Sequence, residues 1–275
     1  MDSCLRRDSP DARPTPASHI LFLGVSALLF AVSVAVTVNR SIAMSTMDLM
    51  PMPGGWTMSM VWMRMPGQTW PEAILSFLGM WILMMIAMML PSLVATLWRF
   101  RQGFHHAGNM PVGRLTLLVG LGYFCVWSLF GLIVFPLGVA LSYLVMQVPT
   151  LATGVPFGIG GVVLIAGAIQ FSRWKAHYLA GCRTAPGLCL PVPTNSVSAW
   201  RQGLRLGLHC CLCCVNLTMI LLVSGMMDLY AMALVTAAIT IERLTPAAEL
   251  TKRLIGAVAI GVGIFMIGRA VGLWT

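Results

Sequence analysis

Residues 73–97 read AILSFLGMWILMMIAMMLPSLVATL, an unbroken run without a charged side chain. At about 1.5 Å of rise per residue, a helix of this length more than crosses the ~30 Å hydrocarbon core of a bilayer. Lipid admits such a segment because a helix satisfies every backbone donor and acceptor internally. The whole chain is built the same way. Of 275 residues, 58% are apolar and 9% charged, with a mean hydropathy of +0.87. Soluble domains carry roughly 45–50% and 25%. These values exclude a water-soluble enzyme, a disordered regulator and a secreted disulfide scaffold.

Outward from this run, six further apolar stretches follow the same reading: 20–38, 115–146, 157–171, 206–225, 227–241 and 254–273. The expected fold is an all-α polytopic transmembrane helical bundle of about seven spans. The run at 227–241 is short and equally fits a re-entrant segment. Residues 1–19 form a polar cytoplasmic tail and residues 20–38 a signal-anchor helix. Residues 39–71 form a Met-rich extracytoplasmic segment, and residues 72–275 the helical membrane domain.

Charge orients this arrangement. The formal net charge is +9, yet no Lys/Arg run exceeds two residues and no aromatic-basic pattern accompanies it, so nucleic acid is not an expected partner. The basic residues fall in 1–19, 99–114, 173–205 and 243–253, with Arg40, Arg64 and Arg269 left on the other side. By the positive-inside rule the N-terminus lies inside and the C-terminus outside.

Sulfur carries the chemistry. Met44, Met47, Met50, Met52, Met58, Met60, Met63 and Met65 crowd one loop. Thioethers are soft, uncharged ligands suited to Cu(I), and Met58-Ser-Met60 has a spacing that can close on one ion. The alternative is an interfacial segment with Trp56, Trp62 and Trp70 at headgroup depth. Met80, Met84 and Met88 recur at i, i+4, i+8 along the run at 73–97, a stripe that could equally be helix packing. In 206–225, His209-Cys210-Cys211-Leu212-Cys213-Cys214 sets His209 beside Cys213 and Cys210 beside both Cys213 and Cys214 at helical spacing. Imidazole with thiolate suits Cu(I), and less well Zn(II); buried cysteines also serve as small hydrophobes. Neighbouring cysteines within a helix bridge poorly, so no disulfide is expected there. Glu242 closes the 227–241 run and can neutralise a bound cation, or pair with Arg243 or a base of a neighbouring loop. His105-His106 reads as a solvated pair. No P-loop, nucleophile elbow, zincin or haem-attachment pattern is present in the sequence.

Several pieces together resemble the bacterial family known as predicted metal-binding integral membrane proteins, a domain of unknown function. They are Gly79-Met80-Trp81 through Leu90-Pro91, Tyr123 with Trp127, Ala166-Gly167 through Gln170, and Lys175 with Cys182-Arg183. The His209–Cys214 cluster, Gly225-Met226-Met227-Asp228 with Met232, and Glu242 followed by Pro246 complete the set. The resemblance covers roughly residues 70–260 and implies an all-helical inner-membrane protein with metal binding but no established reaction. Its cluster commonly has Trp and a Leu-Met step after the Cys pair, whereas here Val215-Asn216 follow.

The expected function is soft-metal binding with transport or delivery, the partners being the lipid bilayer, the ion and a membrane protein. Two alternatives are an accessory or assembly subunit of a membrane metalloenzyme and a thiol–disulfide oxidoreductase using Cys182 and Cys189.

Overall fold

The computed structural model describes residues 16–45, 50–52, 56–58, 62, 64, 67–102, 112–183, 195–226, 228–245 and 247–272. Eight helices appear among them: α1 (Pro16–Ser45), α2 (Trp70–Gln102), α3 (Val112–Gln147), α4 (Pro149–Ile169), α5 (Arg173–Arg183), α6 (Ser196–Ser224), α7 (Leu229–Leu244) and α8 (Ala248–Ala270). A two-stranded antiparallel hairpin, β1 (Met50–Met52) and β2 (Trp56–Met58), stands between α1 and α2. The all-helical bundle read from the sequence is therefore present. Six helices are long and apolar enough to cross a membrane. The seventh apolar run is α7, whose 16 residues extend only about 24 Å, short of a full hydrocarbon core.

Side-chain contacts fix the helix directions. His19 at the start of α1 packs against Trp98 near the end of α2, with ring centroids 4.8 Å apart. Trp81 Nε1 donates to the Trp127 carbonyl at 2.9 Å and Phe77 meets Phe135, so α2 and α3 are antiparallel. Tyr123 lies against Cys210, as Gly122 does against Gly203, making α3 and α6 parallel. Arg101, Arg114, Arg201, Arg205 and Arg253 consequently gather at one end of the bundle. The lipid-facing positions are apolar, as Leu28, Leu137, Ile133, Val258 and Phe265 illustrate.

Two helix pairs approach with glycine at the seam. A Cβ on Gly122 would stand 2.8 Å from the Trp200 carbonyl oxygen, and one on Gly207 2.8 Å from that of Tyr123. Gly203 sits tighter still on the Val119 carbonyl. Between α4 and α8, a Cβ on Gly167 would lie 3.0 Å from the Gly256 oxygen and one on Gly263 3.0 Å from the Gly160 oxygen. Small residues permit this approach, and dispersion gained across the seam replaces the hydrophobic force that lipid does not supply.

The stretch after α4 departs from expectation. The sequence suggests a basic loop, whereas α5 forms there and packs on α6 and α7. The chain turns through Gln170, Phe171 and Ser172 between two helices, and Ser172 Oγ accepts from the Lys175 amide at 3.1 Å. Lys175 reaches the level of Cys213 while Tyr178 reaches that of His209. Thus α4 and α5 form one broken helix antiparallel to α6, with its break inside the bundle.

At the end opposite the basic residues, Trp56 Nε1 donates to the Ala152 carbonyl at 2.8 Å. Trp62 covers Gly138 and meets Phe77 at 5.6 Å. Both rings are part-buried against protein rather than set free at headgroup depth. Trp70 is 51% exposed, with the Arg64 guanidinium 5.3 Å from its centroid.

Candidate metal centre

The amphipathic pattern of α6 positions the site. Asn195 accepts from the Ser198 amide at 2.8 Å and closes a capping box, satisfying orphan donors at the helix start. Gly203 and Gly207 then press the helix onto α3. One turn later the same face carries Cys210, Cys213 and Cys214, which are 0, 1 and 2% exposed. Cys210 is nine residues past Arg201, about 13 Å along the helix, which puts the cluster in the half of the bundle nearer the basic end.

Tyr123 Oη and Cys210 Sγ share a hydrogen bond at 2.8 Å. The Cys214 thiol is hydrogen-bonded with those of Cys210 and Cys213. These three sulfurs form one connected group. The fourth, Cys211, is also buried.

Beside them is a buried ion pair. Lys175 Nζ stands 3.1 Å from Glu242 Oε1, with the two side chains 0% and 2% exposed. The same ammonium donates to the Cys213 carbonyl at 2.6 Å and to Asn216 Oδ1 at 3.4 Å. Asn216 Nδ2 donates in turn to the Ala166 carbonyl at 3.2 Å, near the end of α4. Gln170, in the break, is fully buried and lies beside Glu242, with no hydrogen bond of good geometry on its amide. A broken helix at membrane depth is tolerated where it is enclosed by protein, and it brings polar groups to the interior.

Arg243 is directed elsewhere. Its Nη1 donates to Ser92 Oγ at 2.8 Å, and its charge acts on both Cys214 and Tyr123. Of the two pairings open to Glu242 in the sequence, the one with a base from another loop is realised, and the base is Lys175.

The sequence-derived candidates fall into three groups. Cys210, Cys213, Cys214 and Glu242 come together as described. Met84 and Met88 are buried, at 2% and 1% exposure, and Met80 is half-buried, so this α2 stripe belongs to the core that also holds the cysteines. Met85 and Met89 are fully buried too, so sulfur is not confined to one face. His209 stands apart: it is exposed, its ring 5.8 Å from that of Tyr178 on α5, because the face of α6 that meets α3 is the one bearing Cys210 and Cys214. The expected convergence of His209 with Cys213 is therefore not formed. Met58 lies in β2, its side chain outside the described residues, as is all of Met60; the side chains of Cys182 and Cys189 are likewise outside them. Among the described residues, no group of three or more His, Cys, Asp or Glu is placed to hold a metal ion.

Sequence reading assigned no site role to Lys175, Tyr123 or Gln170. Lys175 looked like one more topology-setting base. The available signal was that all three stand among the residues that carry the family resemblance. Asp228 is the N-cap of α7, its carboxylate accepting from the Tyr230 amide at 2.8 Å and the Ala231 amide at 3.2 Å.

No curated protein and no solved structure matches the chain. The profile of a family described as PpoB2, copper chaperone, matches residues 78–266. That stretch takes in most of α2, all of α3 to α7, and most of α8, with every buried member of the cluster above. Matched over more than half of its length, the chain belongs to the PpoB2 copper chaperone family.

Proposed function

We propose that this protein binds Cu(I) within the membrane and hands it to a partner protein. Methionines of the 39–71 segment, Met58 and Met60 among them, collect the ion on the extracytoplasmic side of a bacterial inner membrane. Met80, Met84 and Met88 pass it along α2. Two thiolates drawn from Cys210, Cys213 and Cys214 hold it, and Glu242 keeps Lys175 in place beside them. His209 has no part in the ligand set.

The observation that carries this reading is the buried thiol group: Cys210, Cys213 and Cys214 are 0, 1 and 2% exposed, with the Lys175 ammonium 2.6 Å from the Cys213 carbonyl, a positive charge that favours thiolate over thiol. Soft sulfur ligands favour Cu(I) over a hard ion. Loading two neutral thiols releases two protons per ion.

The test is anaerobic loading of detergent-purified protein with Cu(I) or Zn(II), followed by elemental analysis and pH-stat titration. Wild type is expected to hold copper against a Cu(I) chelator and release two protons for the tightest equivalent. A Cys210→Ser/Cys213→Ser variant is expected to lose that equivalent, and loaded wild type to activate an apo-cuproenzyme. Equal copper retention in the two proteins, or none in folded wild type, would overturn the proposal.

A further inference from the structure

The break between α4 and α5 builds an oxygen cage. At the end of α4 the amides of Gln170, Phe171 and Ser172 bond to the carbonyls of Gly167, Ala168 and Ile169, three residues back, at 3.2, 3.1 and 3.0 Å. This tightening draws the Gln170 amide away from the Ala166 carbonyl, its partner in a regular helix. The Asn216 carboxamide takes that carbonyl instead, its Nδ2 donating at 3.2 Å, which turns its Oδ1 toward the Lys175 ammonium at 3.4 Å. The Cys213 carbonyl stands 2.6 Å from the same nitrogen and Glu242 Oε1 3.1 Å from it. Three oxygens from α6 and α7 thus converge on one point, which α5 fills with a positive charge. Lys175, Cys213, Asn216 and Glu242 are all buried.

This cage has the chemistry of a cation site. Its oxygens are hard donors, and one of them belongs to a carboxylate, so a single positive charge suits it. An ammonium also brings three N–H donors to three acceptors. Distances of 2.6, 3.1 and 3.4 Å are those of an ammonium; Mg²⁺ is held at about 2.0–2.1 Å and Ca²⁺ takes about six to eight oxygens at 2.3–2.6 Å. A soft ion such as Cu(I) prefers the neighbouring sulfurs. Carriers with broken helices hold an exchangeable coupling ion on oxygens freed at the break. Here the cation sits on a four-carbon stem rooted in α5, and α5 is packed on α6 and α7, so it departs to neither side.

We propose that the Cys213 carbonyl, Asn216 Oδ1 and Glu242 Oε1 form a monovalent-cation site at the α4–α5 break, which the Lys175 ammonium occupies as a built-in cation in place of an exchangeable one. The class of ligand the cage takes is a large monovalent cation: ammonium, a primary alkylammonium or K⁺. This goes beyond the copper reading and gives it a boundary condition. With the site permanently filled, events at the adjacent thiols carry no alkali ion with them and draw on no alkali gradient.

The test uses the full chain in detergent, with copper absent. Lys175→Ala opens the cage, and its melting temperature is followed in chloride salts of choline, Na⁺, K⁺, ammonium and methylammonium at equal ionic strength. Ammonium and methylammonium are expected to recover most of the loss seen in choline, with saturation. Wild type and Lys175→Ala/Glu242→Ala are expected to melt alike in every salt. A second measurement keeps the cage intact. Lys175 and Lys252 are the two lysines of the chain, so Lys252→Arg labelled with 15N-lysine reports Lys175 alone. Its caged ammonium protons should exchange with water slowly enough to give a nuclear magnetic resonance signal. No cation-specific recovery of folded Lys175→Ala, or no ammonium signal from folded Lys252→Arg, overturns the cation site. A cation-dependent melting temperature in wild type overturns its permanent occupancy. Neither readout involves copper, so failure here leaves the thiol reading standing, and failure of Cu(I) loading leaves this site standing.

Discussion

The Lys175–Glu242 pair allows the polar cluster to be tested by energy. Both side chains are almost completely enclosed and 3.1 Å apart. Replacing Lys175 with Met removes the ammonium, its donation to the Cys213 carbonyl at 2.6 Å and the counter-charge of Glu242. Removing one partner of a buried pair costs roughly 3–5 kcal/mol, because the other charge is left uncompensated. With a single-domain sensitivity of about 2–4 °C per kcal/mol, Lys175→Met should lower the melting temperature by roughly 6–20 °C. Glu242→Gln leaves the ammonium its Cys213 and Asn216 contacts and should fall at the lower end of that range. Lys175→Met/Glu242→Leu removes both charges and should recover most of the loss, because an apolar replacement of a buried pair is often close to neutral. The assay is a double-mutant cycle on detergent-solubilised protein, followed by circular dichroism and by the rate at which a maleimide labels Cys213 and Cys214. A coupling of about 2 kcal/mol or more is expected. Strict additivity of the two single losses would refute the pairing.

Other consequences can be checked with the same preparations. Gly203→Ala puts a methyl on the Val119 carbonyl and should destabilise the α3–α6 pair by about 1–3 kcal/mol. Gly161→Ala meets nothing within 4 Å and should change stability by less than about 1 kcal/mol; thermal melts compare the two. Tyr123→Phe removes the hydroxyl bonded to Cys210, worth about 1 kcal/mol, and should weaken Cu(I) binding about fivefold in a chelator competition. His209→Ala, at an exposed position beside Tyr178, should leave copper stoichiometry and affinity unchanged by elemental analysis.

The long helices were legible because each is announced by an apolar run with at most one charge, as at 73–97, and nothing in a soluble fold competes with lipid for such a run. The cysteine cluster was legible as a group because helical spacing alone brings Cys210, Cys213 and Cys214 to one side. His209 was not separable from them by spacing, since which sector of α6 faces α3 is decided by Gly203 and Gly207 and the carbonyls they meet. α5 was hidden by its composition. Its sequence RWKAHYLAGCR mixes basic and apolar residues as a surface loop does, and only tertiary packing reveals that Lys175 and Leu179 point inward. The Met-rich segment hid its hairpin because three-residue strands such as Met50–Met52 and Trp56–Met58 are shorter than any alternation that could declare them.

The glycine seams have a mechanical consequence. With backbones meeting almost directly, α3 with α6 and α4 with α8 behave as two stiff beams, each resisting slip along its own length. Between the beams α4 also packs on α6, and polar bonds join them there: the Asn216 amide on the Ala166 carbonyl and the Lys175 ammonium on the Cys213 carbonyl, both beside the break between α4 and α5. A guest held by the thiols would therefore sit next to the joint between the two beams.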